Sequence, residues 1–222
     1  MPTYEPLTWD GTGDRLYETG VRNGVLYPRT GATYEAGVAW NGLTKVSESP
    51  SGAEETALWA DDIKYLSLYS AEEFGGTIEA YTYPEEWGEC DGSAELVSGV
   101  YAGQQPRKSF GLCYRTVLGN DTDKEAYGYK LHLIYGATAS PSSKEYATIN
   151  DSPEAITFSW EFKTVPETIN DNYKPTACIV IDSTKANETK LNALKTILYG
   201  STEAAPRLPL PSEVISLMTP GQ

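Results

Sequence analysis

The chain has 222 residues and a formal net charge of −14, with 40% hydrophobic and 22% charged residues. This hydrophobic content excludes wholesale disorder, and so acidic a surface excludes nucleic-acid binding through phosphates, which requires clustered Lys and Arg. Sixteen Tyr, 20 Gly and 14 Pro favour strands joined by turns. The composition therefore predicts a mainly β fold, and the length suits one sandwich or barrel domain.

The negative charge lies almost entirely in the first half of the chain. Residues 1–99 contain 18 acidic and 5 basic residues, which gives −13, and residues 100–222 contribute −1. A surface this acidic repels DNA, because both partners are negative. The charge therefore indicates avoidance of nucleic acid rather than its recognition.

The first 62 residues predict an arm, a hairpin and a long loop, in that order. Residues 1–33 contain turn dipeptides and show little periodicity, so we expect an irregular N-terminal arm. Two short β runs, at residues 34–40 and 43–48, flank Asn41-Gly42, a strong hairpin signal. Residues 49–62 begin with Ser-Pro-Ser-Gly and contain four acids, which indicates a long loop.

The next part of the chain predicts further strands. They are expected at residues 63–70, 77–83, 108–118, 127–135, 155–164 and 176–181, with an acidic turn at residues 85–92. Alternation is clearest in residues 155–164, where one face carries Ile156, Phe158, Trp160 and Phe162. That pattern predicts a strand with one buried and one wet face.

A single helix is predicted near the C-terminus. Leucine and isoleucine recur at helical spacing over residues 187–199, with Asn187 as the N-cap and Gly200 just past the end. Residues 201–222 form a proline-rich tail. We therefore expect one domain over residues 1–222, an antiparallel β-sandwich or barrel with one flanking C-terminal helix and a long early loop.

Residues with catalytic or metal-binding chemistry are sparse. His132 is the sole histidine, so a monomer holds no multi-histidine metal site, and no Gly-x-Ser-x-Gly motif accompanies it. Residues 120–125 resemble a calcium loop at first sight, but Ala126 and His132 occupy the positions that require Gly and Glu. We expect His132 to be structural and residues 120–125 to be a hairpin loop. No catalytic, cofactor-binding or metal-binding residue is predicted, and no cofactor.

The acid pairs and cysteines also favour structural roles. The paired acids are predicted to be mostly solvated surface; they are Glu54-Glu55, Asp61-Asp62, Glu72-Glu73 and Glu85-Glu86. Cys113 and Cys178 are expected to be small buried hydrophobes, and Cys90, in the acidic turn, to disfavour its thiolate. Three widely spaced cysteines suit a reducing cytosol.

The N-terminal residues lack the basic start and apolar stretch of a signal peptide. No apolar run in the sequence approaches the roughly 20 residues that span a bilayer. We therefore expect a protein that is made in a cytoplasm, stays soluble and has no membrane partner.

Several distinctive stretches occur in order over most of the chain. They are GVAWNGLT (37–44), ESP (48–50), GAE (52–54), WADDIKY (59–65), TIEAYTYP (77–84), FGLCYR (110–115), GYKLH (128–132), NDSPEA (150–155) and APRLPLP (205–211). Single fragments are common, but their ordered combination is specific. In that combination the chain resembles the major tail proteins of long-tailed phages that infect Gram-positive bacteria.

The resemblance implies a tail tube protein: two packed sheets, a flanking helix and a long loop between early strands. Such subunits form rings, usually hexameric, that stack into the hollow tube through which DNA passes without specific binding. It also implies a tape measure protein and a tail terminator as partners, and a place in the virion tail after assembly in the host cytoplasm.

Two expectations follow for this sequence. The acids of residues 1–99 would line the lumen and repel DNA, with Glu79 as one contributor. The long loop at residues 49–62 would bridge successive rings.

Other classes of protein stay open. A carbohydrate-binding β-sandwich is one, because aromatic residues make up 11% of the chain. A different phage structural protein, such as a tail terminator or a capsid decoration protein, is another. The lone histidine and the lack of a motif disfavour an enzyme.

Overall fold

The computed structural model describes residues 6–149, 151 and 154–219 and is built mainly from strands. Its strands are β1 (Tyr17–Thr30), β2 (Thr33–Tyr34), β3 (Val38–Trp40), β4 (Leu43–Glu48), β5 (Ser51–Gly52), β6 (Glu55–Ala60), β7 (Ile63–Tyr69), β8 (Glu72–Glu73), β9 (Gly75–Ala80), β10 (Ala94–Val97), β11 (Val100–Ala102), β12 (Phe110–Asn120), β13 (Lys124–Ala139), β14 (Phe158–Thr164) and β15 (Cys178–Asp182). Its helices are α1 (Trp87–Asp91), α2 (Glu188–Tyr199) and α3 (Pro211–Met218). The predicted mainly β fold with a C-terminal helix is confirmed.

Nine strands form one antiparallel sheet in the order β2-β1-β12-β13-β14-β9-β4, with β3 also on β1 and β15 also on β13. The sheet folds over along β13, because β15 pairs with residues 130–134 of that strand and β14 pairs with residues 137–139. Gly136, at φ 58°, lies between the two pairings. The fold creates layer A (β1, β2, β3, β12, β13 and β15) and layer B (β4, β9 and β14).

A core rich in aromatic rings lies between layer A and layer B. Trp87 of α1 contacts rings from both layers, with centroid distances of 4.7 Å to Trp40, 4.9 Å to Phe110 and 5.2 Å to Trp160. All four side chains are buried. Burial of one large apolar side chain contributes about 1.5–3 kcal/mol, so this cluster holds the layers together.

Helices α2 and α3 cover the other face of layer A. The Tyr27 hydroxyl donates to the Leu198 carbonyl at 2.6 Å, and apolar side chains of α2 are buried against the sheet. The Asn187 side chain accepts a hydrogen bond from the Lys190 N–H, which confirms the predicted helix and its N-cap. Gly200 follows the helix at φ 77°, but its ψ of 177° lies outside the left-handed helical region.

The prediction of an irregular arm over residues 1–33 is wrong for Tyr17–Thr30, which form β1 inside layer A. Residues 6–16 form no helix or strand, and residues 1–5 lie outside the described residues. Residues 24–28 are buried, with side chains in both cores, so they lack the alternation that marks a strand in a sequence. Gly20 and Asn23, both at positive φ, lie at two shifts of register with β12. These bulges produce sequence signals that resemble turns.

The prediction of a hairpin at Asn41-Gly42 is also wrong, although strands flank the turn as expected. β3 pairs with β1 and β4 pairs with β9, so the turn carries the chain from layer A to layer B. Trp40 and Leu43, on either side of the turn, both pack into the core between the layers. Burial of these side chains overrides the local preference for a hairpin.

Residues 49–62 are not a loop. They contain β5 and β6, which pair with β8 and β7 to make one long hairpin over residues 51–73. Helices also replace predicted irregular segments: α1 lies in the acidic turn of residues 85–92, and α3 lies in the tail of residues 201–222. Pro211 starts α3, a position where no N–H donor is required.

Other strand predictions are confirmed within a few residues. β12 and β13 form the hairpin expected from residues 108–118 and 127–135. β7, β9 and β15 fall where strands were expected. In β14, Trp160 and Phe162 are buried and Glu161 is exposed, as the alternation predicted, but Ile156 precedes the strand and is exposed.

Replacing Gly136 with alanine is expected to destabilise the fold more than the same change at Gly31. Both glycines have positive φ, which costs about 1–2 kcal/mol for alanine. A Cβ at Gly136 would also lie 2.2 Å from the Val165 carbonyl oxygen, whereas one at Gly31 meets no atom within 4 Å. Urea unfolding of Gly136→Ala and Gly31→Ala measures the difference, and equal losses would contradict the clash.

Candidate assembly surface

The hairpin of residues 51–73 projects from layer B. Asp61 and Asp62 form its tip at φ 50° and 61°, the positive values that a two-residue hairpin turn requires. At a strand rise of about 3.3 Å per residue, the tip reaches up to about 30 Å from the sheet. No side chain of residues 51–73 belongs to either core cluster. The hairpin is therefore an extension that reaches beyond the folded body.

Both faces of this hairpin carry exposed apolar side chains. Leu58 lies opposite Leu66 on one face, and Leu68 follows on that face at 53% exposure. Tyr69 lies on the other face and Tyr65 at a register shift between the two strands, and each is 68% exposed. Trp59 and Ile63 flank the tip and are similarly exposed; the second hairpin, β10–β11, also exposes Leu96, Val97, Val100 and Tyr101.

An isolated two-stranded hairpin is marginally stable in water, and contiguous exposed apolar surface marks a site of interaction. The hairpin of residues 51–73 is such a two-stranded element, and it carries exposed apolar side chains. Its apolar faces predict that another surface covers them in the functional state.

Most acids of residues 1–99 lie in two segments: this hairpin, and residues 85–95, which follow β9 in the chain. Residues 51–73 contain six acids and one lysine, and residues 85–95 contain five acids and no basic residue. Four acids of the second group line a cavity of about 280 Å³ together with Lys108, which pairs with Glu35 at 2.7 Å and Glu89 at 2.9 Å. Glu79 instead pairs with Lys45 at 3.0 Å, so its charge is largely compensated.

β4 and β15 are edge strands of the sheet. In the described part of the chain each pairs with one neighbour, β9 and β13 respectively. Val180 of β15 is 48% exposed. An unpaired strand edge is a template for pairing with another chain, so these strands are the sheet's candidate contacts.

His132 of layer A lies in a polar network with Glu48 of layer B. Its Nδ1 is 3.2 Å from Glu48 Oε1, to which Tyr114 also donates at 2.5 Å, and Thr116 Oγ1 lies 3.0 Å from Nε2. The Tyr114 ring stacks on the imidazole at 4.5 Å. The bond with His132, with help from Tyr114, holds the pKa of Glu48 below its usual value although burial opposes the shift. The network joins the layers.

A hairpin turn joins β12 and β13 as predicted, but it is shorter than residues 120–125 and comprises residues 121–123. The Asn120 side chain is buried, and its Oδ1 accepts hydrogen bonds from the Thr122 and Asp123 N–H groups. The Gly13 N–H donates to Asp121 at 3.0 Å. The polar groups of the loop therefore bond to the backbone of the loop itself and to the backbone of the N-terminal segment.

All three cysteines are at least partly buried. Cys113 is buried, as predicted, and Cys178 is partly buried. Cys90 is buried in α1, and burial raises the pKa of its thiol to about 12, which disfavours the thiolate. Within residues 6–149, 151 and 154–219, no group of three or more His, Cys, Asp or Glu side chains is arranged to hold a metal ion.

None of the helices in the described part of the chain is long and apolar enough to cross a membrane.

No protein-family model matches the chain, and no curated protein matches its sequence.

The first strand of the projecting hairpin, residues 55–60, was predicted as part of a loop, whereas the second strand was predicted correctly. The signal was present: residues 55–60 and 63–69 have comparable length and flank an Asp-Asp turn. The acids Glu54, Glu55, Asp61 and Asp62 instead suggested a solvated loop, and the exposed apolar residues became visible as a surface once the pairing was known.

Replacing Glu48 with glutamine is expected to flatten the acid limb of the stability curve. A carboxylate with a lowered pKa stabilises the fold above its unfolded pKa of about 4.3, and that stabilisation is lost as the pH falls through the folded value. Because the side chain is about one-third exposed, we expect a loss of about 1 kcal/mol at pH 7.

Urea unfolding at pH 7 and at steps below pH 5 measures this effect. The difference between wild type and Glu48→Gln should shrink as the pH falls. Glu161→Gln, an exposed change in layer B, is the matched control. A difference that stays constant down to the acid limit would contradict the role of Glu48.

Proposed function

We propose that the chain is a structural subunit of the tail tube of a long-tailed bacteriophage and has no enzymatic activity. Subunits assemble into rings, hexameric in most tail proteins of this type, and the rings stack into a hollow tube in the virion tail. DNA passes through the tube into the host without specific binding. Assembly takes place in the host cytoplasm, with a tape measure protein and a tail terminator as partners.

The projecting hairpin carries this proposal. Its apolar side chains lie on both faces, outside both cores, and a monomer leaves them in water. A hairpin that reaches about 30 Å from the sheet can contact a subunit of the next ring. Stacking of rings covers the hairpin in every subunit except those at the end of the tube.

Edge strands and charge support the same function. The edges of β4 and β15 are available for pairing with neighbouring subunits, and a closed ring uses up such edges. Six copies of a chain with a net charge of −14 sum to roughly −84 before screening. Part of this charge on the lumen wall repels DNA phosphates, which keeps the genome from adhering during ejection.

Purified protein, concentrated and examined by negative-stain electron microscopy, is expected to form hollow tubes of variable length. Polymerisation without a fixed length follows from an interface that repeats from ring to ring. A tail terminator or a capsid decoration protein would give single rings or small oligomers instead. Discrete particles with no tubes would contradict the proposal.

Shortening the hairpin is expected to abolish tubes and leave the fold intact. Gly52 lies opposite Glu72, so Asn-Gly in place of residues 53–71 closes the ladder with a two-residue turn. The free energy of unfolding should change by less than about 1 kcal/mol, because the removed side chains belong to neither core.

Microscopy and urea unfolding check this result. The double variant Leu66→Ser with Leu68→Ser should lose tubes as well. Val165→Ser, at an apolar side chain that is 67% exposed and lies outside the hairpin, should retain them. Tubes of normal length from the shortened protein would contradict the role of the hairpin.

A carbohydrate-binding module is the second candidate. Exposed Trp59, Tyr65 and Tyr69 are the type of side chain that stacks on sugar rings. A monomer that binds a glycan array in a manner lost in Trp59→Ala, and that forms no tubes, would favour this function over the tail tube.

A further inference from the structure

A groove of about 390 Å³ lies between the turn end of the β12–β13 hairpin and helix α2. Its lining combines positive and aromatic side chains, and we call it the cationic groove. The lining includes Arg22, Arg115, Tyr127, Tyr129, Leu191 and Lys195. Glu125 and Glu188 also line it. Arg22 pairs with Glu125 at 2.8 Å, so one acid is already compensated.

Arg115 and Lys195 both lie against the ring of Tyr129. The Arg115 guanidinium carbon is 4.7 Å from the ring centroid, and the Lys195 Nζ is 5.5 Å from it. Within the described residues, neither cation forms an ion pair, and the buried Nε of Arg115 has no hydrogen-bond acceptor. The aromatic ring holds two positive charges in place beside an opening, which is an arrangement that attracts a carboxylate.

The tip of the projecting hairpin has the complementary chemistry. Asp61 and Asp62 place two carboxylates side by side, and exposed Trp59 and Ile63 flank them. Carboxylates match Arg115 and Lys195, and the apolar flanks match the partly exposed ring of Tyr127. The acidic tip and the cationic groove therefore fit in both charge and apolar character.

The two surfaces belong to opposite sides of the molecule. The hairpin continues β4 and β9 of layer B, whereas the groove opens on the face of layer A that carries α2. No residue of the hairpin lines the groove of its own chain, so contact of the tip with a groove involves two copies.

We propose that the Asp61-Asp62 tip of one subunit docks in the cationic groove of a second copy, with Arg115 and Lys195 as the receiving cations. This inference rests on the proposed stacking of rings and names the surface that receives the hairpin. Each subunit is then a donor to one ring and an acceptor from another, which makes the contact head-to-tail and open-ended.

Disulfide trapping between two variant proteins tests the contact. Asp62→Cys protein is mixed with Asn192→Cys protein, since Asn192 is exposed and lines the groove. Asp62→Cys mixed with Lys185→Cys is the control, because Lys185 lies outside the groove lining and is 84% exposed. We expect at least about five-fold more cross-linked dimer in the first mixture, since docking raises the effective concentration of the two thiols.

A charge exchange gives the second measurement. Lys195→Glu should raise the protein concentration needed for assembly by about ten-fold, because it places a carboxylate opposite the acidic tip. Adding Asp62→Lys on the same chain should restore assembly, and Lys185→Glu should have no effect. Circular dichroism of each variant checks that the monomer is folded.

The outcomes separate this inference from the proposed function. Tubes that form while cross-linking stays at the control level would overturn the groove as receptor and leave the tail tube standing. A specific cross-link without tubes would support the contact and contradict the tube. An absence of both would overturn both.

Discussion

The rings of Trp40, Phe110, Trp87 and Trp160 pack in the space between two layers that belong to one continuous sheet. This packing requires the sheet to fold over, so β13 has to serve both layers and bend at Gly136. The indole N–H groups of Trp87 and Trp160 have no acceptor in the described structure, a cost of about 1–3 kcal/mol each. Burial of the four rings outweighs that cost and fixes the body from which the hairpin and the edge strands extend.

The exposed hairpin departs from the burial that forms the core. The core removes apolar side chains from water, whereas the hairpin of residues 51–73 holds Trp59, Tyr65 and Leu68 in it. A violation of the ordinary rule of burial is characteristic of functional surfaces. The acids along the hairpin lower the risk of aggregation, since like charges on two hairpins repel each other.

The polar network around His132 lies at the base of the projecting hairpin. Glu48 is the last residue of β4, next to the base of the hairpin, and its carboxylate is held by His132 and Tyr114 of layer A. The hairpin therefore leaves the body from a point that is tied to both layers.

Much of the fold was predictable from sequence wherever one face of an element is buried and the other is wet. Trp160 and Phe162 alternate with exposed residues in β14, and the leucines of α2 recur at helical spacing after the Asn187 cap. The two-sided burial of β1 erased its alternation, and the contact of Trp40 and Leu43 with the core sent the Asn41-Gly42 turn between layers. The candidate assembly surface was likewise predictable from sequence only in its local features. The sequence by itself determined the acidic tip and the flanking aromatic residues, because these are local. The pairing that exposes both faces of the hairpin, and the meeting of Arg115 and Lys195 on Tyr129, were decided by tertiary structure, since they join residues far apart in the chain.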